Sequence, residues 1–177
     1  MRRSSLSAKT MTQIALMVVL ITVCSWISIP APVPFTLQTF AVFFALLALG
    51  GRAGMFAVCV YLIMGAVGLP VFSGFQGGMG VLAGPYGGYI AGFMLMAMIY
   101  RLLAEEAGEK RRIAALVVGL AACYGIGTYW FMASYAGETP MALSAALTMC
   151  VIPFLLPDLG KLALAVFLAR RLKKVLK

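Results

Sequence analysis

Histidine is absent from this chain. That removes the side chain that most often serves as a general base, and the commonest metal ligand. Charge is scarce too: 11% of the 177 residues are charged, and only five of them are acidic. No two acids share an apolar run, so paired-carboxylate chemistry inside a membrane has no candidates. There is no G-x-x-x-x-G-K-[ST] phosphate loop, so the chain brings no nucleotide-driven energy source by that motif. Four cysteines (Cys24, Cys59, Cys123, Cys150) stand singly, without C-x-x-C or metal-ligand spacing. They read as small hydrophobes packed in helices, and no redox compartment follows from them.

Apolar residues are what the chain has in abundance. They make up 63% of it, against ~45–50% in soluble globules, and the mean hydropathy is +1.03. The net charge of +9 raises nucleic acid as a partner. The basic residues instead flank long apolar runs, the habit of membrane proteins. The expected class is an all-α integral membrane protein forming a single domain, residues 1–177.

Apolar runs predict the spans. The first is Met11 to Ile29, too long for a cleaved signal segment. The second is Phe35 to Leu49, short for a span. The third is Met55 to Val71, the fourth about Leu82 to Leu103, and the fifth Ile113 to Met132. The last stretch, Met141 to Leu172, exceeds one span and contains Pro153 and Pro157, which break helices. It divides into a short helix, about Met141 to Ile152, and a sixth span from about Asp158. Basic residues test this plan. Arg2, Arg3 and Lys9 precede the first span, and Arg52 lies between the second and third. Arg101 and Lys110 to Arg112 lie between the fourth and fifth, and Arg170, Arg171, Lys173, Lys174 and Lys177 close the chain. Thirteen of the fourteen basic residues therefore fall on one side of a six-helix plan. Both termini are expected in the cytoplasm. Trp26, Tyr129 and Trp130 fall at outer helix ends, where aromatic belts sit.

Lys161 is the fourteenth, and with Asp158 it forms the only ionisable pair inside an apolar run. A charge at the centre of a membrane helix costs ~2.5–3.5 kcal/mol, and intramembrane charges mark function by default. The pair would share one face at i, i+3 spacing. Asp158, just after Pro157, is expected in the first turn of the sixth helix, where free N–H groups favour a carboxylate. One carboxylate and one ammonium make either an internal ion pair or the polar floor of a pocket.

Small residues recur at Gly80, Gly84, Gly88 and Gly92, and at Ala115, Gly119, Cys123 and Gly127, a spacing that lets helices approach closely. The stretch GAVGLPVFSGFQGGMG, Gly65 to Gly80, is uncharged, glycine-rich and aromatic. It reads as a lid or pocket wall rather than a solvent loop. The first outer loop, SWISIPAPVPF, is similarly uncharged and stiffened by proline.

Four segments, in order, resemble the BioY family, the biotin-specific substrate-binding (S) component of energy-coupling factor (ECF) transporters. They are IPAPVPFTLQTF (Ile29 to Phe40), GLPVFSGFQGGMG (Gly68 to Gly80), GPYGGY (Gly84 to Tyr89) and PFLLPDLGK (Pro153 to Lys161). The resemblance implies six transmembrane helices around an outward-facing pocket. It implies biotin contacts at Asp158, Lys161 and Gln76, with Trp26, Phe75, Tyr86 and Tyr89 as candidate apolar walls. It implies no cofactor and no enzymatic activity in this chain. A transmembrane coupling protein and two ATPases would be its partners in a bacterial plasma membrane. The chain departs from the family pattern at Tyr86, where a small hydroxyl residue is usual, and at Pro157, usually glycine. On the first helix Ala15 is followed by Val19 rather than by a second alanine, which bears on the docking surface. The competing readings are a small ion- or proton-coupled carrier for another vitamin or organic molecule, an intramembrane enzyme, and a purely structural subunit.

Overall fold

The computed structural model describes residues 7–29, 34–105, 107–134 and 141–175. Arg2, Arg3, Glu138, Lys177 and the central residues of the first loop, 30–33, lie outside that set, as do the side chains of Lys173 and Lys174. Helix α1 (Ala8–Trp26) is followed by a two-stranded hairpin, β1 (Ser28–Ile29) and β2 (Phe35–Thr36). Then come α2 (Gln38–Ala66), α3 (Met79–Ala83), α4 (Gly87–Ala104), α5 (Glu109–Ser134), α6 (Leu143–Cys150) and α7 (Ile152–Val175). A 3-10 turn at Ser73–Phe75 interrupts the loop between α2 and α3. Helix α1 starts where the Ser7 hydroxyl accepts from the Thr10 N–H at 3.2 Å, an N-cap at a free helix end.

Helix α2 is not one rod. At Gly50 the backbone leaves the helical region (φ 82°, ψ 176°), a conformation that favours glycine. The Gln38 amide nitrogen donates to the Tyr61 hydroxyl at 2.7 Å across a separation of 23 residues. A straight helix would hold those residues ~35 Å apart at ~1.5 Å per residue. A Cβ placed on Gly54 would meet the Leu46 backbone at 2.9 Å. The chain therefore folds back at Gly50 into two antiparallel limbs, residues 38–49 and 51–66. The first limb rises ~18 Å, short of a ~30 Å hydrocarbon core.

This hairpin, with α1, α4, α5 and α7, forms the core. Helices α4 and α5 approach most closely, through glycine. An added Cβ would strike Trp130 at Gly88 (2.3 Å), the Cys123 sulfur at Gly92 (2.6 Å), Met96 at Gly119 (2.7 Å) and the Tyr89 ring at Gly127 (2.2 Å). Gly80 and Gly84 do not continue that stripe. They belong to α3 and its C-cap, because the fourth long helix begins at Gly87 rather than near Leu82. The third apolar run likewise stops being helical at Ala66, and residues 67–71 enter the loop. Helix α7 begins at Ile152, ahead of both prolines. Pro153 falls in the first turn, where its missing N–H costs nothing, and Pro157 forgoes a single helical hydrogen bond.

The molecule has two unlike ends. At one, Arg101 packs against Gly51, Arg101 pairs with Glu105 at 3.6 Å, and Arg170 pairs with Glu109, tying α7 to α5. These pairs are exposed, so solvent screens them and they add little to stability. The opposite end carries the loops of small, apolar and aromatic residues. There the indoles of Trp26 and Trp130 donate to the carbonyls of Pro70 (2.8 Å) and Gly84 (2.9 Å).

Candidate binding site

A cavity of about 330 Å³ opens at the loop end. It is built from five parts of the chain. The β-hairpin and the start of α2 supply Ser28, Pro34, Thr36, Gln38 and Thr39, and the loop after α2 supplies Phe72, Ser73, Gly74 and Gln76. Tyr86, Tyr89, Ile90 and Phe93 come from the α4 region, and Leu120, Cys123 and Tyr124 from α5. The last wall is Cys150, Phe154, Asp158 and Lys161 from α6 and α7.

Its floor is ionic. Asp158 is 2% exposed and Lys161 8%. The Lys161 ammonium donates to Asp158 Oδ1 at 2.7 Å and to the Thr39 hydroxyl at 3.2 Å. The Thr39 hydroxyl in turn donates to the same Oδ1 at 2.9 Å, and the Tyr124 hydroxyl donates to Oδ2 at 2.6 Å. The ammonium also lies 4.2 Å from the centre of the Phe35 ring, a cation–π contact. Two buried charges are tolerable only when paired and hydrogen-bonded in this way. Capacity remains. A carboxylate offers ~four acceptor positions and an ammonium three donors. Asp158 receives three hydrogen bonds and Lys161 gives two. By this count the floor retains an acceptor position on Asp158 and a donor position on Lys161.

Asp158 is reached differently from the sequence expectation. It lies six residues beyond the start of α7, not in the first turn. Its partners are the side chains of Lys161, Thr39 and Tyr124 rather than free helix N–H groups, since the first turn is spent on residues 152–155 ahead of Pro157.

Five of the seven residues picked out from the sequence line this cavity: Asp158, Lys161, Gln76, Tyr86 and Tyr89. Gln76 stands at the exposed rim, and its backbone carbonyl accepts from the Phe72 N–H at 2.9 Å. The Tyr89 hydroxyl bonds Thr128 Oγ1 at 3.0 Å. Tyr86 stacks near Phe131, with ring centroids 6.2 Å apart. Trp26 and Phe75 are not among the lining residues. They stack on each other, centroids 4.9 Å apart, on the α1 side of the loop. Phe75 holds a φ of 58°, unusual for a bulky side chain. The loop that carries it is fastened by several contacts. The Ser25 hydroxyl lies 2.5 Å from the Val71 carbonyl, the Tyr61 hydroxyl donates to that carbonyl at 3.1 Å, and the Phe72 ring fills the space over Gly65.

Sequence reasoning missed Thr39 and Tyr124. Thr39 lies inside the quoted segment IPAPVPFTLQTF, so a signal existed. Tyr124 sits next to Cys123 of the small-residue stripe, and its neighbours in the sequence give no sign that it faces an aspartate 34 residues away. Among the described residues no group of three or more His, Cys, Asp and Glu side chains is placed to hold a metal ion.

Long apolar helices around a solute-sized cavity with a neutralised ionic floor define a multi-pass membrane protein with a small-molecule pocket at one end. Comparison with known proteins narrows that class. Residues 1–177 match the BioY family, and the chain belongs to it. It is 44% identical over 158 residues to the biotin transporter BioY of Thermotoga maritima, covering 88% of this chain and 90% of that one. It is 40% identical over 169 residues to the probable biotin transporter BioY of Pyrococcus horikoshii, covering 95% and 98%. The fold matches the crystal structure of the S-component for biotin from an ECF-type ABC transporter with a TM-score of 0.82. That match has 25% identity and covers 94% of this chain and 91% of the other. These relatives are transport proteins.

Proposed function

We propose that this protein binds biotin at its loop end and carries it inward as the substrate-specific subunit of an ECF-type transporter. The observation that carries the reading is the floor of the cavity, where Asp158 and Lys161, joined at 2.7 Å, keep an acceptor and a donor position by count. A cyclic urea presents N–H donors beside a carbonyl acceptor. Asp158 receives a ureido N–H, and Lys161 donates to the ureido carbonyl. Gln76 meets the ligand from the loop, Tyr86 and Tyr89 cover its apolar ring, and Trp26 with Phe75 hold that loop to α1. The cavity volume falls at the small end of the ~300–1,000 Å³ spanned by ligand pockets, which suits a vitamin and not a peptide.

The Gly50 hairpin supports six membrane spans, and the gathering of basic residues at one end supports cytoplasmic termini in a plasma membrane. In this reading the partners are a transmembrane coupling protein and two ATPases. They supply the energy for which this chain has no phosphate loop. The function is tested by titrating biotin into the purified detergent-solubilised protein, following heat or Trp fluorescence, beside D158N and K161A. Tight binding by the wild type, lost in both folded variants, is the expected result. A folded wild type that ignores biotin overturns it.

A further inference from the structure

We infer that this site recognises the ureido head and is indifferent to the charge of the tail, so that its substrate class includes biotin derivatives whose carboxylate has been neutralised. The inference rests on the biotin reading above and deepens it. Among the described lining residues, Asp158 and Lys161 are the only acidic and basic side chains. They neutralise each other at 2.7 Å, so the wall carries no net charge.

Among the described residues no second cation lines the cavity. Of the chain's fourteen lysines and arginines, all but Lys161 lie in the terminal segments or in the two connections of the basic end, and there is no histidine. Those connections are the Gly50 turn, which meets Arg101, and the α4–α5 junction, whose Glu109 pairs with Arg170. Both are at the far end of the helices from the cavity.

A ligand carboxylate buried without a counter-charge would pay a large desolvation cost. With the ureido ring on the floor, the tail runs towards the rim. The groups that meet it there, Ser28, Thr36, Ser73 and Gln76, are hydroxyls and an amide. They can hydrogen-bond a carboxylate, a carboxamide or an ester, and none of them supplies the counter-charge that would make a charged tail essential. Gly74 and Gln76 are exposed, so the tail end keeps its water. The opposite orientation, carboxylate on Lys161 and ureido ring at the rim, would make the tail charge essential. It would also leave Asp158 beside an anion.

The test is competition against labelled biotin on the full chain in detergent, with biotin, biotin amide, biotin methyl ester, and a biotin analogue whose urea has been opened to the diamine. Biotin amide and the ester within about tenfold of biotin, with the ring-opened compound at least a hundredfold weaker, is the expected result. Tight biotin binding with both neutral tails a hundredfold or more weaker overturns this inference and leaves the biotin reading standing. No displacement by unlabelled biotin itself overturns both.

Discussion

Neutralising the ionic floor one residue at a time and then together separates its part in stability from its part in binding. Asp158 and Lys161 are joined at 2.7 Å, with side chains only 3% and 8% exposed. Removing one partner of a buried pair costs ~3–5 kcal/mol, because the other charge stays buried and uncompensated. In K161M, Asp158 still receives the hydroxyls of Thr39 and Tyr124, which places the loss near ~3 kcal/mol, the lower limit of that range. In D158N, Lys161 keeps the Thr39 hydroxyl and the Phe35 ring, and the loss is similar. The double variant D158N/K161M buries no charge, so its unfolding midpoint in detergent should lie above that of either single variant. Binding should not follow. Each charge-assisted hydrogen bond to the ligand contributes ~1.5–3 kcal/mol, so each single variant weakens biotin by ~10–150-fold and the double variant does not recover. Unfolding and calorimetric titration of the four proteins make a complete cycle. A double variant that binds like the wild type would refute the assignment of the floor. Single variants as stable as the wild type would refute the argument from buried charge.

Tyr124→Phe removes one hydroxyl from Asp158 and leaves the ring in place. Affinity should fall, by at most the ~10–150-fold that one neutral-to-charged hydrogen bond is worth; unchanged affinity on titration would count against Tyr124 holding Asp158 in place for the ligand. Gly88→Leu pushes a side chain into Trp130 and the Ile126 carbonyl, and overpacking of this kind costs ~1–3 kcal/mol or more. Its midpoint in a thermal scan should drop, whereas Gly125→Ala, which meets open space inside α5, should leave it unchanged or raise it, alanine being the better helix former by ~0.5–1 kcal/mol. Trp26→Ala removes the Pro70 hydrogen bond and the Phe75 stack, loosening the loop over the cavity. Biotin should then dissociate several-fold faster in a chase experiment, and an unaltered off-rate would mean that the loop is held by its other contacts alone.

What was legible in the sequence was what periodicity and charge placement encode. Apolar runs have to lie in lipid, and basic residues have to stay out of it. The helices, the turn at Gly50 beside Arg52 and the two unlike ends therefore follow from residue order. So does the singling out of Asp158 and Lys161, since an ion in an apolar run is too costly to be incidental. Helix boundaries were less legible. Pro153 and Pro157 read as breakers, yet α7 runs through both, because a proline in a first turn costs little and packing can absorb one missing hydrogen bond inside. The glycine spacing from Gly80 to Gly92 looked like one face but belongs to two helices.

The tertiary structure alone decided who surrounds the pair. Thr39 and Tyr124 reach Asp158 across 119 and 34 residues of sequence. Nothing local distinguishes a threonine or tyrosine turned towards a buried ion from one turned towards lipid or a neighbouring backbone. It likewise put Trp26 and Phe75 against each other and not into the cavity. The sequence by itself determined that a charge pair would be buried in this membrane protein. Which hydroxyls keep that pair satisfied, and which hydrogen-bonding positions remain for a ligand, depended on how five separate segments converge, and that convergence is a property of packing, not of residue order.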